Sequence, residues 1–263
     1  MGEQSPPDSE PHNNFIGILS MTYNETKIPE HIAHSLLEII YIQPPTIYII
    51  MSTLTPLTPL TPLTPHIFYI NLDKRTDRRE QIEDQLRQYN LYDQSERFPA
   101  LETPDLGILG CTMSHLAVLK LARERQYPHV LILEDDFCFT IPPEEFQKNL
   151  QHFFNTIPTF DVCMISYNIK QSHPTDDPRI LKIIEAQTAS GYIVNQTLYD
   201  QIITLYEEAV PLLRDTREHW NYANDQIWKR LQPNTNWFAL NPRCGKQRDG
   251  FSDNSGQYLT NDW

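Results

Sequence analysis

Five residues, His129-Val130-Leu131-Ile132-Leu133, form a nearly continuous apolar run that leads directly into three carboxylates, Glu134-Asp135-Asp136. A strand without polar alternation is buried on both faces, as in an α/β sheet covered by helices on either side. The acids follow at its carboxyl end, where open α/β sheets bind their ligands. Adjacent carboxylates repel one another unless a cation lies among them. Alternation along an extended chain would turn Glu134 and Asp136 to the same side. Two hard oxygen ligands suit Mg²⁺ or Mn²⁺, with water and substrate phosphates completing the shell. A solvated acidic turn capping the next element explains the triplet equally well by residue type. The buried strand in front favours a site.

The surrounding pattern supports this class of fold. Ile67-Phe68-Tyr69-Ile70 predicts a second buried strand, and Ile82, Leu86 and Tyr89 follow at helical spacing. Leu109, Met113, Leu116 and Ala117 predict an amphipathic helix running to about Arg125. Further helices are predicted over 144–154, through Leu198, Ile202, Leu205 and Ala209, and near 225–231. Extended chain is predicted over 161–165, 180–194 and 237–240, with little pattern after Pro242. Strands alternating with helices imply a largely parallel α/β sheet.

The 263 residues allow one substantial core plus an extension. Three regions are expected. Residues 1–50 read as a dispensable N-terminal extension, polar and disordered over 1–14. Residues 51–65 carry a Thr-Pro-Leu repeat with Pro56, Pro59, Pro62 and Pro65 at the three-residue period of polyproline II. A stiff spacer explains that repeat more simply than a ligand for a proline-binding domain. Residues 66–263 are the patterned domain.

A net charge of −13 and a pI near 5.1 argue against bulk attraction to nucleic acid or to an anionic membrane. An anionic substrate would need a local cation. Leu36–Met51 is apolar but is broken by Glu38, Gln43, Pro44 and Pro45, so no stable membrane span is expected. None of the four cysteines forms a C-x-x-C pair or fits the spacing of a zinc module, and Cys163 sits in an apolar run as a small core residue. Such usage suits a reducing, cytoplasmic setting.

Arg75, Arg78 and Arg79 open the helix after the first strand. Cations are disfavoured at that end by the macrodipole, which points to use against nucleotide phosphates. A solvated face paired with Glu80, Glu83 and Asp84 accounts for them as well.

Three segments in order resemble glycosyltransferase family 25, which includes lipooligosaccharide and procollagen galactosyltransferases. They are Tyr69-Ile70-Asn71-Leu72-Asp73-Lys74-Arg75-Thr76-Asp77-Arg78-Arg79, Gly107-Ile108-Leu109-Gly110-Cys111-Thr112-Met113-Ser114-His115 and Val130–Asp136. Ala189–Val194, Gln247-Arg248 and Ser252-Asp253 are similar to later parts of the family, so the resemblance spans about His66 to Asp253. Phe98–Pro104 lacks the family's glycine-bearing segment, which bears on acceptor contacts. The resemblance implies a GT-A type, Rossmann-like mixed sheet flanked by helices. It also implies transfer of a hexose, galactose or glucose, from a UDP-sugar to a hydroxyl on a glycan, lipooligosaccharide or hydroxylysine-type protein acceptor, with inversion. Glu134 and Asp136 would hold the divalent metal, Mn²⁺ or Mg²⁺. Asn71, Arg75, Arg78, Gly110, His115, Asp135 and Arg248 would bind the donor. Taken alone, a helical His such as His115 is more often structural.

Inversion needs a carboxylate to take the acceptor's proton. Asp225, in Asn221-Tyr222-Ala223-Asn224-Asp225-Gln226-Ile227-Trp228, is the first candidate, with Asp249 and Asp253 in reserve. A helix N-cap explains Asp225 as readily. Arg243, Lys246 and Arg248 would close over the diphosphate or form a solvated patch. A catalytically silent sugar-nucleotide-binding or adhesion module on the same fold is the alternative, and the intact acidic triplet weighs against it.

Overall fold

The computed structural model describes residues 65–253 and 256–260. The chain divides into two units, Met1–Pro59 and Leu60–Trp263, and every described residue lies in the second. The expected extension, and the spacer up to residue 64, lie outside the described residues.

The chain runs β1 (His66–Asn71), α1 (Thr76–Gln88), β2 (Ser95–Pro99), α2 (Gly107–Glu124), β3 (His129–Glu134), β4 (Phe137–Phe139), α3 (Pro143–Thr156), β5 (Val162–Met164), β6 (Asn168–Pro174), β7 (Ile180–Gln187), β8 (Gly191–Asn195), α4 (Tyr199–Thr216), α5 (His219–Tyr222), α6 (Asn224–Ile227), β9 (Trp237–Leu240), β10 (Gly245–Gln247), β11 (Gly250–Ser252) and β12 (Gln257–Leu259). The main sheet has eight strands in the order β2-β1-β3-β8-β5-β9-β7-β6. β4 pairs with β10, and β11 with β12, as separate two-stranded ribbons.

Strand alternation feeds two cores. Phe68, Val130, Ile132, Val162, Met164 and Tyr192 face α2 and α4, where Val118, Leu119, Ile202 and Tyr206 complete one apolar cluster. Ile67, Tyr69, Leu131, Leu133, Cys163 and Ile193 face the other way, onto Ile82 and Leu86 of α1 and Phe146, Leu150 and Phe153 of α3. Both faces of β1 and β3 are therefore covered, which is why neither strand alternates with polar residues. Each such large side chain contributes about 1.5–3 kcal/mol on burial.

The sheet is mixed rather than largely parallel. β1 runs parallel to β2 and β3, and β5 to β9, but β8 runs against β3 and β5, and β7 against β6 and β9. The extended stretch 180–194 is two strands, interrupted at Thr188, whose φ of +86° lies in the left-handed region. β2 and β6 gave no apolar signal because they are the sheet's edges and stay half-exposed. Helix α2 forms as expected, but its buried stripe includes Thr112, Ser114 and His115, while Met113, Leu116 and Ala117 are only half-buried. No helix among the described residues is long and apolar enough to cross a membrane.

The topology creates one crevice. From β1 the chain crosses by α1 to β2 on one side, then by α2 to β3 on the other. The carboxyl ends of β1 and β3 thus flank a switch point, the usual ligand position in open α/β sheets.

Candidate functional site

A pocket of about 160 Å³ lies at that switch point. Glu134, Asp135 and Asp136 form one wall, the β2–α2 loop (100–104) another, and the tail from Gln247 to Leu259 a third. Lys74, Arg78 and Arg248 also line it, as do Glu102 and Asp253, so five acids and three bases share one cleft in a strongly acidic chain.

Within the acidic triplet, β3 ends at Glu134, and Asp135-Asp136 form a turn before β4. Glu134 and Asp136 both line the pocket, but their carboxylates bond to different helices. Glu134 Oε1 lies 3.1 Å from His115 Nε2 and 3.5 Å from Cys111 Sγ on α2, and Oε2 accepts from Gln247 at 3.3 Å. Asp135 accepts from Asn71 at 2.8 Å and from Arg78 at 2.9 Å. Asp136 Oδ2 meets the same Arg78 nitrogen at 3.2 Å.

Burial dominates the electrostatics here. Desolvation alone would push the Glu134 carboxyl up, but the hydrogen bond and charge of His115 outweigh it and leave it below the usual range. Burial raises Asp135 despite Arg78 and Asn71. Burial, then the charge of Glu134, pushes Asp136 up to about 7. Asp136 Oδ1 is buried and has no hydrogen-bond partner. An orphaned carboxylate oxygen beside other acids fits a divalent cation, so the donor set on the pocket wall is compatible with Mg²⁺ or Mn²⁺.

The arginines have an anion, and it is the protein's own. Arg75 donates to Asp77 at 2.9 and 2.8 Å and pairs with Asp253. Arg78 bridges Asp135 and Asp136 and donates to the Phe251 carbonyl at 2.7 Å. The helix-opening argument for bound phosphate is therefore answered internally for both. Only Arg79 follows the solvated-face reading, pairing with Glu83 at 2.8 Å. Arg78 lines the pocket, whereas Arg75 holds the tail that covers it.

Other expected residues stand behind the wall. Asn71 is buried, and its amide ties the end of β1 to Asp135, to the Arg75 carbonyl and to Arg97. His115 is fully buried between Tyr192 OH, 3.0 Å away, and Glu134, so it reaches the pocket only through that carboxylate. Gly110 permits a close approach: a Cβ there would fall 2.2 Å from the Leu101 carbonyl oxygen. Its N–H bonds Thr103 Oγ1 at 2.9 Å, and Ser114 Oγ accepts from Leu101 N at 2.8 Å. These contacts fasten the glycine-free 98–104 segment to α2 as a pocket wall.

Asp225 is the second residue of α6, not its cap, and does not line the pocket. Its Oδ2 accepts the Thr188 N–H at 3.0 Å and its Oδ1 the Gln226 amide at 3.1 Å. Burial raises its pKa, and Glu134 is near enough to add to the rise. Asp253 lines the pocket but is paired with Arg75 and, at 3.8 Å, with Lys74.

Sequence reasoning names Gln247, which contacts Glu134, only within the resemblance and without a role, and misses Phe137. The Phe137 ring fills the space a Cβ would need at both Gly191 (2.7 Å) and Gly245 (2.2 Å). Pairing of Gln247 with Phe137 across β10 and β4, and Arg248 N donating to Asp136 O at 2.6 Å, bring the tail onto the acidic turn. No local pattern announces this, because each ribbon strand is three residues long.

Among solved structures, the chain is similar to a glycosyltransferase involved in glycosylation of the major capsid of PBCV-1 (12% identity, TM-score 0.44, covering 67% of this chain and 81% of that one). It is also similar to the glycosyltransferase GlyE of Streptococcus pneumoniae TIGR4 (10%, TM-score 0.40, 68% and 45%). A third is the mannose-1-phosphate geranyltransferase of Thermus thermophilus (8%, TM-score 0.37, 69% and 58%). The chain thus spans little more than half the length of the Thermus protein and less than half that of GlyE. No curated protein sequence matches it significantly. Over residues 105–202, the stretch from the pocket wall through α2 and the acidic turn into α4, this chain matches glycosyltransferase family 25 (LPS biosynthesis protein).

Proposed function

We propose that this chain is an inverting, metal-dependent hexosyltransferase of GT-A type. It would move galactose or glucose from a UDP-sugar to a hydroxyl of a glycan, a lipooligosaccharide or a hydroxylysine-type protein acceptor. One observation carries the reading: the pocket at the β1–β3 switch point is lined both by the family-matched acidic turn and by Lys74, Arg78 and Arg248. A diphosphate with its divalent ion satisfies both sets of charges at once.

In this reading Asp136 and Glu134 would hold the metal, whose Lewis acidity would offset charge on the leaving diphosphate. Arg78 and Arg248 take diphosphate charge, while Asp135 and Asn71 keep the turn in register. His115 orients Glu134, Gly110 sets the wall's position, and Arg75 fastens the tail through Asp253. Asp225, raised by burial toward the range of a useful base, removes the acceptor proton. Residues 66–263 are the catalytic unit, and 1–50 are dispensable for chemistry.

A donor screen with Mn²⁺ present tests the proposal, with release of UDP as the readout. Turnover of a UDP-hexose that stops with chelator is expected. Tight UDP-sugar binding with no release, with or without acceptor, would favour the silent binding module instead.

A further inference from the structure

The geometry points to a second metal site, for a thiophilic divalent ion such as Zn²⁺, formed by Cys111 Sγ, His115 Nε2 and Glu134 Oε1. Cys111 and His115 are four apart on α2 and so share one helix face. The end of β3 brings Glu134 against that face, and the three ligand atoms lie within 4.8 Å of one another. Glu134 Oε1 is 3.1 Å from the imidazole nitrogen and 3.5 Å from the sulfur. A tetrahedral zinc ion with ordinary N, O and S bonds sets such ligand atoms about 3.3–3.6 Å apart, so little movement is needed to admit it.

The surroundings match those of a metal site. His115 is fully buried, and its other nitrogen meets Tyr192 OH at 3.0 Å, the outer contact that fixes ring orientation in histidine ligands. Cys111 and Glu134 both line the pocket, so the fourth coordination position opens onto it. Three protein ligands with one open position is the arrangement of an accessible zinc site rather than a closed structural one. A sulfur ligand selects Zn²⁺ over Mg²⁺ or Mn²⁺, which prefer oxygen. Glu134 Oε2 points to Gln247, so the carboxylate offers one oxygen to each side. On binding, the sulfur–metal bond replaces the Cys111 S–H bond, whose proton goes to solvent. The His115 Nε2–H toward Glu134 is likewise given up so that its lone pair can bind, with the imidazole proton carried on Nδ1 toward Tyr192 OH, and Glu134 coordinates through Oε1.

The test needs only the full chain and the metal, so its result is independent of the transferase reading. Calorimetric titration with ZnCl₂ should show a tight site filled by one ion and lost in Cys111→Ser, whatever further ion Glu134 and Asp136 take. Co²⁺ in its place should give tetrahedral d–d bands and a thiolate-to-cobalt charge-transfer band. Cys111→Ser, which keeps the shape and an O–H toward Glu134, should lose that band and bind Zn²⁺ at least about ten-fold more weakly. Asp136→Asn should leave the thiolate-to-cobalt band and the affinity of that site unchanged. Equal Zn²⁺ affinity in Cys111→Ser, cobalt binding without the thiolate band, or no stoichiometric binding by the parent chain would each overturn the site.

Discussion

Asp225 accepts the backbone N–H of Thr188 at 3.0 Å, and Thr188 holds a φ of +86° that a β-branched residue rarely adopts. Two residues on, the Ser190 carbonyl accepts the N–H of Glu134 at 3.0 Å, and Ser190 Oγ meets Ser166 Oγ at 2.7 Å. The carboxylate of α6 thus steadies the loop on which the acidic turn hangs. Asp225→Asn keeps an acceptor for Thr188 but removes the basicity. If Asp225 is the base, turnover should fall by roughly 10²-fold or more with the melting temperature nearly unchanged. Parental turnover would leave it only the clamp, and Asp253, which lines the pocket, becomes the next carboxylate to replace.

Arg78 supplies the charge between Asp135 and Asp136, with its side chain 14% exposed. Arg78→Ala leaves both acids without it. Breaking a fully buried pair costs about 3–5 kcal/mol, and partial exposure reduces this to about 2. UDP affinity measured by calorimetry should drop at least ten-fold as well. A destabilised variant with parental UDP affinity would confine Arg78 to folding.

Asp136 Oδ1 is buried with no hydrogen-bond partner. Asp136→Ala should abolish sugar transfer and Mn²⁺ stimulation while leaving the fold intact, since it removes a carboxylate that burial already disfavours. Transfer that persists in excess chelator would exclude the metal from the reaction.

Gly110→Ala would place a methyl 2.2 Å from the Leu101 carbonyl oxygen, where backbone must move. Overpacking of this kind costs about 1–3 kcal/mol. Because the displaced segment is a pocket wall, donor binding should weaken too. Thermal melting and UDP calorimetry on the same sample would show both effects, and an unchanged melting temperature would contradict the close approach.

Burial lowers the pKa of His129 from 6.5 to about 4, and its ring lies 5.1 Å from that of Phe154. Between those two values the unfolded chain binds a proton that the folded one refuses, so stability rises with pH across that window and falls as pH drops from 6.5 toward 4. The loss at pH 5 should be about 2 kcal/mol relative to pH 7. Denaturant unfolding of His129→Gln should show a flatter slope than the parent between pH 6.5 and 5, and equal slopes would show that the imidazole is not desolvated.

Features whose signal is local can be read from the chain alone. The buried strands at Ile67–Ile70 and His129–Leu133, the long helices and the position of Glu134-Asp135-Asp136 at a strand's end follow from periodicity and from carboxylates terminating an apolar run. The resemblance of three spaced segments pointed to the family that residues 105–202 match. Other features depend on residues far apart in the chain and emerge only on folding. Strand direction across β8 and β7 leaves no mark on composition, because a buried strand reads the same either way. Arg75 and Arg78 were legible as misplaced cations, but their partners Asp253, Asp135 and the Phe251 carbonyl are contributed by the acidic turn and the tail. Alternation turns Glu134 and Asp136 to one side, and both do line the pocket, but their partners, His115 on α2 and Arg78 on α1, lie on helices that a three-residue motif does not specify.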